Sequence, residues 1–199
     1  MALASLLILF LVVPLIVILL RAIEAGLLDQ LTQPTVSQAL QLSLITSFFS
    51  TLIAIIFGTP LAYILARRRV RARRVIETLL DLPIVLPPAV AGLALLMTFG
   101  RRGLFGSALD SIGLSLPFTS IAVVLAQMFV AGPFFIRSAQ TGFASVSREM
   151  EEVASDLGAN NWLVFKRVTL PLAAPSLLAG IILTWARALG EFGATILFA

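Results

Sequence analysis

The chain has 199 residues, of which 59% are hydrophobic and 12% charged, and its mean hydropathy is +1.06. This composition predicts a polytopic membrane protein and excludes a soluble domain built on one large core. The sequence has no Cys and no His, which excludes disulfides, thiol redox chemistry, zinc clusters and His-based acid catalysis, and its net charge of +4 reflects topology rather than nucleic-acid binding.

Five apolar segments are long enough to span a membrane. The first lacks the basic start and the cleavage pattern of a signal peptide, which predicts a retained helix. The second contains Thr59-Pro60, which predicts a kink. The third has Pro83, Pro87 and Pro88 near its start, so we expect an irregular beginning that is buried in protein or lines a polar cavity. The segments are 2–20, 42–65, 82–99, 118–136 and the residues from about 171 onward.

A basic cluster, RRRVRARR at residues 67–74, lies between the second and third segments. Basic loops stay in the cytoplasm. Counting spans from this loop places the N-terminus and the loop after the fourth segment in the cytoplasm, and residues near Gly106 outside. Arg101 and Arg102 then lie outside, a modest departure from the rule. Recognition of anionic lipid, at about 1 kcal/mol per cation, is the alternative to a topology anchor, and the anchor is favoured.

The cytoplasmic loop after the fourth segment has the pattern of two short helices. Ser147 is a suitable N-cap, and Gly158 is placed to end the first helix in a left-handed conformation. Asn160 or Asn161 can cap the second helix. Amphipathic helices that lie on membranes usually carry Lys and Arg, so the acids of this first helix favour a protein partner. Its apolar positions recur at helical spacing and are Val146, Met150, Val153, Ala154 and Leu157.

The same loop resembles the EAA loop of ABC importer permeases, E-A-A-x3-G-x9-I-x-L-P. Here the pattern is Glu152-Val153-Ala154, Gly158 and Val168-x-Leu170-Pro171, with valine at the second position and in place of isoleucine. In that family the loop docks into a separate ATP-binding subunit and transmits its closure to the pore. The resemblance implies that loop 146–171 is the coupling element and that Glu152 faces that subunit or the turn. The coupling residues that it implies are Glu151, Glu152, Val153, Ala154, Asp156, Leu157, Gly158 and Ala159.

Three further stretches resemble the molybdate/tungstate branch of these permeases, with sulfate permeases close behind. They are LPIVLPPAVAGLALL (82–96), PFTSIAVVLAQMFVAGPFFIRS (117–138) and ARALGEFGATILFA (186–199). The resemblance implies an all-α helical bundle of the type I ABC permease kind, forming one permease domain over 1–199. Members of this branch continue into a further span, so we expect a chain that is incomplete at its C-terminal end.

Partners and location follow from the same resemblance. It implies a homodimer in the cell membrane, two ATP-binding subunits and an external binding protein that delivers the oxyanion. ATP and Mg²⁺ would be bound by the partner subunit, and no cofactor or metal by this chain. Molybdate, tungstate and sulfate are not distinguished by the sequence.

An oxyanion pathway needs donors that bind weakly enough to release their ligand, because fixed strong charge would trap a dianion. Hydroxyl residues of the second span are spaced 3, 1, 3 and 1 apart, which places them on one helical face. Close helix packing is an equally good explanation of these small residues. The candidates are Ser43, Thr46, Ser47, Ser50 and Thr51.

Two other features are candidates for a pathway or a gate. Arg187 and Glu191 lie four apart on a predicted helix, and each alone near the midplane would cost about 2.5 to 3.5 kcal/mol. We therefore expect them in a buried interior or in water, with structural pairing favoured over a pathway role. Pro87 and Pro88 form either a gate or a fixed kink, and the kink is favoured.

Other classes of protein fit less well. A complete ATPase is excluded because the single lysine, Lys166, lies in FKRV and not in a phosphate-binding loop. A membrane hydrolase is disfavoured by the lack of His, Cys and G-x-S-x-G. A secondary transporter stays open but would need intramembrane acids, for which Asp81 and Glu191 are the candidates. A structural scaffold is the alternative outside transport. Neither a secondary transporter nor a structural scaffold would need an ATP-binding subunit.

Overall fold

The computed structural model describes residues 1–68 and 70–199, without the side chains of Ala2 and Leu28. Arg69, one arginine of the basic cluster, lies outside the described residues. Within the described ranges the chain forms α-helices and one π-helical segment, Phe165–Thr169, and no strand, which confirms the predicted all-α class. The helices are α1 (Ala2–Glu24), α2 (Leu27–Leu31), α3 (Pro34–Arg67), α4 (Arg73–Val85), α5 (Pro88–Phe99), α6 (Gly106–Ser111), α7 (Ser120–Ser145), α8 (Arg148–Asp156), α9 (Asn161–Val164), α10 (Leu170–Leu189) and α11 (Gly193–Phe198).

The chain divides into two compact units, Met1–Ser43 and Leu44–Ala199. The first unit contains α1, α2 and the beginning of α3. Large hydrophobic side chains are exposed all along α1 and on every side of it. A helix that is apolar all round suits a lipid environment, which agrees with a retained first span.

In the second unit, α7 and α10 run antiparallel and meet through small residues. A Cβ added to Gly142 would lie 2.7 Å from the Cβ of Ser176, and one added to Gly180 would lie 2.7 Å from the Cβ of Ser138. The Ser138 hydroxyl also donates to the Ser176 carbonyl at 2.7 Å. Small residues let membrane helices approach closely and bond across their interface. The α7–α10 pair is therefore the centre of this unit.

Helices α3, α5 and α11 pack on this pair in two apolar clusters. One lies where α3 meets α7, with Gly58 against the Phe135 ring. The other joins α5 and α11 to the first half of α7. The first cluster contains Ala54, Ala62, Phe135, Ala139, Phe143, Val146, Ala173 and Leu177, and the second contains Ala91, Leu95, Leu116, Ala122, Ala126, Val130, Ala194 and Phe198.

Four helical stretches of the described chain are long and apolar enough to cross a membrane, and the bent pair α4–α5 gives a fifth if it counts as one span. This agrees with the five predicted segments. The second is longer than predicted, since α3 covers Pro34–Arg67 and continues through Pro60.

Two segments differ from their predicted form. The irregular start of the third is displaced: α4 continues through Pro83, and the chain then turns by 117° where Leu86 and Pro87 are extended. A proline restricts the residue before it to such extended conformations. In the fifth, α10 ends at Leu189, so the prediction that Arg187 and Glu191 share one helix was wrong.

Candidate functional site

The loop between α7 and α10 begins with a capped helix. The Ser147 hydroxyl accepts a hydrogen bond from the Glu149 backbone N–H at 3.2 Å, which confirms Ser147 as the N-cap of α8. Glu149 and Glu151 lie in the first turn, where negative charge is favoured by the helix dipole. Sequence and local geometry therefore agree on where this helix starts.

Gly158 ends the helix as predicted, with φ at +90°. The Gly158 N–H donates to the Ser155 carbonyl at 2.9 Å and the Ala159 N–H to the Ala154 carbonyl at 3.1 Å, the two bonds of a Schellman motif. A Cβ added at Gly158 would meet nothing within 4 Å. Glycine is needed here for its backbone conformation and not for space.

The second half of the loop is a short helix that passes into the π-helical segment. Asn160, one of the two predicted caps, accepts from the Leu163 N–H at 2.9 Å. The segment Phe165–Thr169 then leads into α10. Isolated π-helical turns are frequent at functional sites. The loop thus joins its membrane helix through an irregular turn.

Glu151 ties the loop to two long helices. Its Oε1 accepts from Arg67 Nη2 at 2.9 Å and from Thr169 Oγ1 at 2.6 Å. Arg67 Nη2 also donates to the Val146 carbonyl at 3.0 Å. The end of α3, the end of α7 and the loop are thereby held at one end of the second unit, as expected if both loops lie on the same side of the membrane.

Aromatic residues of α3, α7 and the second half of the loop pack together in the same region. The Tyr63 ring on α3 lies edge-on to Phe143 at 5.5 Å and to Phe165 at 5.2 Å between ring centroids. Trp162 stacks on Phe165 at 5.7 Å. Edge-to-face and stacked contacts of this kind add to the stability gained by burial alone.

Within the described residues, the loop carries several exposed large apolar side chains. Of the apolar positions predicted for α8, Val146 is buried, but Met150, Val153 and Leu157 are exposed, Leu157 by 84%. Trp162, beyond the turn at Gly158, is also exposed, as are the acids Glu149, Glu152 and Asp156 of α8. An exposed apolar patch rimmed by charge is typical of a protein interaction surface. We call the four residues Met150, Val153, Leu157 and Trp162 the outer face of the loop.

Behind the loop, a cleft of about 1020 Å³ separates it from the second half of α3. Its floor is apolar and includes Pro60 and Tyr63. Its rim is charged and carries both signs, with Arg68 and Arg148 against Glu152 and Asp156. The mixed rim gives the cleft no net preference for an anion.

The hydroxyl residues of α3 lie mostly inside the protein. Ser43 is half-buried, and Thr46, Ser47, Ser50 and Thr51 are buried. Ser47 accepts from the Trp185 indole N–H at 3.1 Å, and the Ser50 hydroxyl donates to the Ser47 carbonyl at 3.0 Å. Ser47 therefore serves helix packing at this point.

Besides Arg67 Nε and Glu191 Oε2, the latter ion-paired with Arg187, three buried polar atoms have no hydrogen-bond partner within the described part of the chain. They are the hydroxyls of Thr51 on α3 and Thr184 on α10, and the amide oxygen of Gln127 on α7. Buried polar groups without partners are uncommon in native structures. Thr184 and Gln127 were not among the predicted pathway residues, because isolated polar residues in apolar helices carry no pattern that separates packing from function.

The helix break before α5, at Pro87 and Pro88, contacts the start of α11 at Gly193. A Cβ added to Gly92 on α5 would lie 2.7 Å from the Ala194 carbonyl oxygen, and one added to Gly193 would lie 2.7 Å from the Cβ of Pro88. Pro88 starts α5, and Pro87 is the extended residue before it. The candidate gate residues thus lie where the start of α5 packs on α11, a contact that we call the α5–α11 junction.

Glu191 is buried at this junction. Its Oε1 accepts from the Ala194 N–H at 2.8 Å, and its Oε2 lies 2.8 Å from Arg187 Nη1. The carboxylate therefore caps the start of α11 while it pairs with the cation. The expected pairing forms across the break that ends α10 and not along one helix.

A second ionic cluster, missed by sequence reasoning, joins α4 to α7. Arg137 Nε donates to Asp81 Oδ1 at 2.8 Å and Nη2 lies 2.5 Å from Oδ2, a bidentate pair. Arg137 also donates to the Glu77 carbonyl and to the side chain of Gln140, whose amide donates to Glu77. Asp81 is therefore held by a cation, which weakens it as a free ion-coupling acid of a secondary transporter.

Comparison with known proteins agrees with this arrangement. Residues 58–199 match the model of the family described as "binding-protein-dependent transport system inner membrane component". The chain is 43% identical over 192 residues to the molybdenum transport system permease protein ModB of Mycobacterium tuberculosis, covering 96% of this chain and 73% of that protein. It is 40% identical to the molybdate/tungstate transport system permease protein WtpB of Thermococcus kodakarensis, covering 100% of this chain and 76% of that protein. A probable sulfate transport system permease protein, cysT of Chlorokybus atmophyticus, is 35% identical over 95% of this chain and 67% of its own length.

Proposed function

Because the chain belongs to the family of binding-protein-dependent transport system inner membrane components, we propose that it is the membrane-spanning subunit of an ATP-driven importer for molybdate or tungstate. The observation that supports molybdate or tungstate as the substrate is the 43% identity to a molybdenum permease over almost the whole chain. The sulfate relative is more distant, at 35%. The oxyanion would reach this subunit from an external binding protein.

The loop 146–171 is the proposed contact with a separate ATP-binding subunit. Its outer face offers exposed apolar side chains, α8 also carries exposed acids, and Gly158 turns the chain between the two loop helices. Such a surface suits a groove that is apolar at its base and basic at its edge. Glu152 is exposed on α8 and is therefore accessible to a partner.

Two copies of this chain and two ATP-binding subunits are the proposed assembly, with ATP and Mg²⁺ bound by the partners. The proposed orientation has the N-terminus and the loop in the cytoplasm and Gly106 outside. Labelling of Asp156→Cys tests it, since the sequence has no native cysteine. We expect labelling only from the cytoplasmic side, and labelling from outside would reverse the topology.

For the pathway we propose hydroxyl donors and not fixed cations. Thr51 and Thr184 are buried on membrane helices and have no partner within the described chain. Hydroxyls can replace part of the hydration shell of an oxyanion without trapping it. Ser43, Thr46, Ser47 and Ser50 extend the same face of α3, and Pro87, Pro88 and Glu191 would form a gate at the α5–α11 junction.

Reconstitution with the ATP-binding subunit and the external binding protein tests the substrate. We expect molybdate or tungstate to stimulate ATP hydrolysis and sulfate to do so less well. Stronger stimulation of ATP hydrolysis by sulfate would assign the chain to the sulfate permeases. Stimulation by an amino acid or a sugar would contradict the oxyanion proposal altogether.

A further inference from the structure

Two neighbouring glutamates of the loop have opposite surroundings. Glu152 is exposed, whereas the Glu151 side chain retains only 19% of its exposure. Its partner Arg67 retains 10%, and Thr169 is fully buried. Of these two carboxylates, only that of Glu151 is directed into the protein.

The bonds of Glu151 end on different membrane helices. Arg67 is the last residue of α3, and Thr169 is the last residue of the π-helical segment before α10. The same oxygen, Oε1, accepts from both, at 2.9 Å and 2.6 Å. Because Arg67 also donates to the carbonyl of Val146, the residue after α7, one joint connects α8 to the ends of three long helices.

The physical character of this joint suits transmission of movement better than static stabilisation. A buried ion pair adds little net stability over apolar packing, but breaking it by removing one partner is costly. Glu151 and Arg67 therefore resist separation when α8 is moved. A displacement of α8 by a docked partner would be passed to α3 through Arg67 and to α10 through Thr169.

We infer that Glu151 is a positioning residue that couples movement of the loop to α3 and α10, while Glu152 serves docking. This inference rests on the proposed function of the loop. It assigns two separable roles to adjacent residues of identical chemistry, which makes Glu152→Gln a matched control for Glu151→Gln.

The test uses the reconstituted complex with its ATP-binding subunit, external binding protein and molybdate. Glu151→Gln keeps the shape and an acceptor oxygen but loses the charge that holds Arg67. We expect normal co-purification of the ATP-binding subunit and molybdate transported per ATP to fall about tenfold, a coupling of ordinary size. Stimulation of ATP hydrolysis by the loaded binding protein should be lost in the same variant. Glu152→Gln should instead weaken co-purification, and its transport per ATP should fall much less than that of Glu151→Gln.

Two further variants separate coupling from folding. Thr169→Val is nearly isosteric and removes only one donor, so we expect a fall of a few fold in transport per ATP without loss of assembly. Arg67→Gln alone leaves the Glu151 carboxylate without its cation, and we expect this variant to transport less molybdate per ATP than wild type. The double variant Arg67→Gln/Glu151→Gln restores a neutral pair and should recover part of the transport per ATP.

The outcomes distinguish this inference from the function on which it rests. If the wild-type chain does not bind the ATP-binding subunit, the proposed function fails and the inference with it. If the wild-type complex transports molybdate and Glu151→Gln assembles with an unchanged ratio of transport to ATP, only the inference fails. If Glu151→Gln does not assemble, Thr169→Val decides, and a wild-type ratio there overturns the inference.

Discussion

The loop 146–171 and the α5–α11 junction are held together by different forces. The loop is attached through side-chain bonds of Glu151, Arg67 and Thr169, and its outer face is exposed. At the junction, glycines bring backbones together, so that a Cβ on Gly92 would lie 2.7 Å from a carbonyl oxygen. Polar bonds between long side chains can follow a moving partner, whereas close backbone contacts leave no room for a larger side chain. Substitutions should therefore impair coupling in the loop and stability at the junction.

Gly92→Ala is expected to have the largest effect on stability. The new Cβ would meet the backbone of Ala194, which cannot move aside as a flexible side chain can. Overpacking of this kind costs about 1–3 kcal/mol. Unfolding of the purified protein in detergent measures it.

Gly132→Ala is the matched control, because its Cβ would lie 3.8 Å or more from its neighbours. It should be neutral or slightly stabilising, since alanine favours a helix by up to about 1 kcal/mol. Equal stability of the two variants would mean that the close backbone approach at the junction does not limit the size of the side chain at position 92.

Gly158→Val is expected to have the next largest effect, on function. A β-branched residue is strongly disfavoured at the positive φ of this turn, at a cost of about 1–3 kcal/mol. The membrane helices lie elsewhere, so the protein should insert and dimerise but bind the ATP-binding subunit weakly or hydrolyse ATP without transport. Co-purification and transport per ATP are the measurements.

Gly158→Asn is the control for that change, since asparagine tolerates the left-handed conformation. It should retain most of the wild-type activity. If Gly158→Val behaved as wild type, the loop would be only a connector at the membrane surface.

Glu191→Gln tests whether the ion pair of Arg187 and Glu191 at the junction is structural. The amide can still accept from the Ala194 N–H, but Arg187 loses its anionic partner. Arg187 keeps 30% of its exposure, so water compensates in part and we expect a loss of about 1 kcal/mol in stability. Transport per ATP should stay unchanged if the pair is structural, and a large loss of transport in a stable protein would assign Glu191 to the pathway.

Glu152→Ala should have the smallest effect. An exposed charge contributes at most about 1 kcal/mol, so we expect a weaker form of the Gly158→Val defect, seen as a reduction of a few fold in affinity for the ATP-binding subunit. Titration of that subunit at low and high salt measures it. A defect as severe as that of Gly158→Val would mean that this carboxylate is buried in the complex.

Local features of the loop were predictable from sequence, and its attachment was not. Ser147, Gly158 and Asn160 act through bonds to residues two to four positions away, which leave a readable spacing. Arg67 and Glu151 lie 84 positions apart, so no pattern in the sequence predicts their contact. The basic cluster was interpreted only as a topology anchor, although its first arginine also holds the loop.

The same limit applies to the membrane helices. Apolar length predicted the spans, because crossing a hydrocarbon layer fixes a minimum number of residues. Helical periodicity did not predict that α10 ends at Leu189 or that Arg137 pairs with Asp81, since both depend on neighbouring helices. It also left open which apolar residues of α8 face inward, because an interaction surface and a core face have the same spacing.

The central claim is that the outer face of the loop binds a separate ATP-binding subunit, and photocrosslinking tests it most directly. A photoreactive amino acid would replace Leu157, which is 84% exposed, or Ile112, which is 72% exposed in the segment that we propose to lie outside the cell. With the complex assembled in membranes, we expect the ATP-binding subunit to crosslink at position 157 and not at position 112. Crosslinking at position 112, or none at position 157 in an active complex, would contradict the claim.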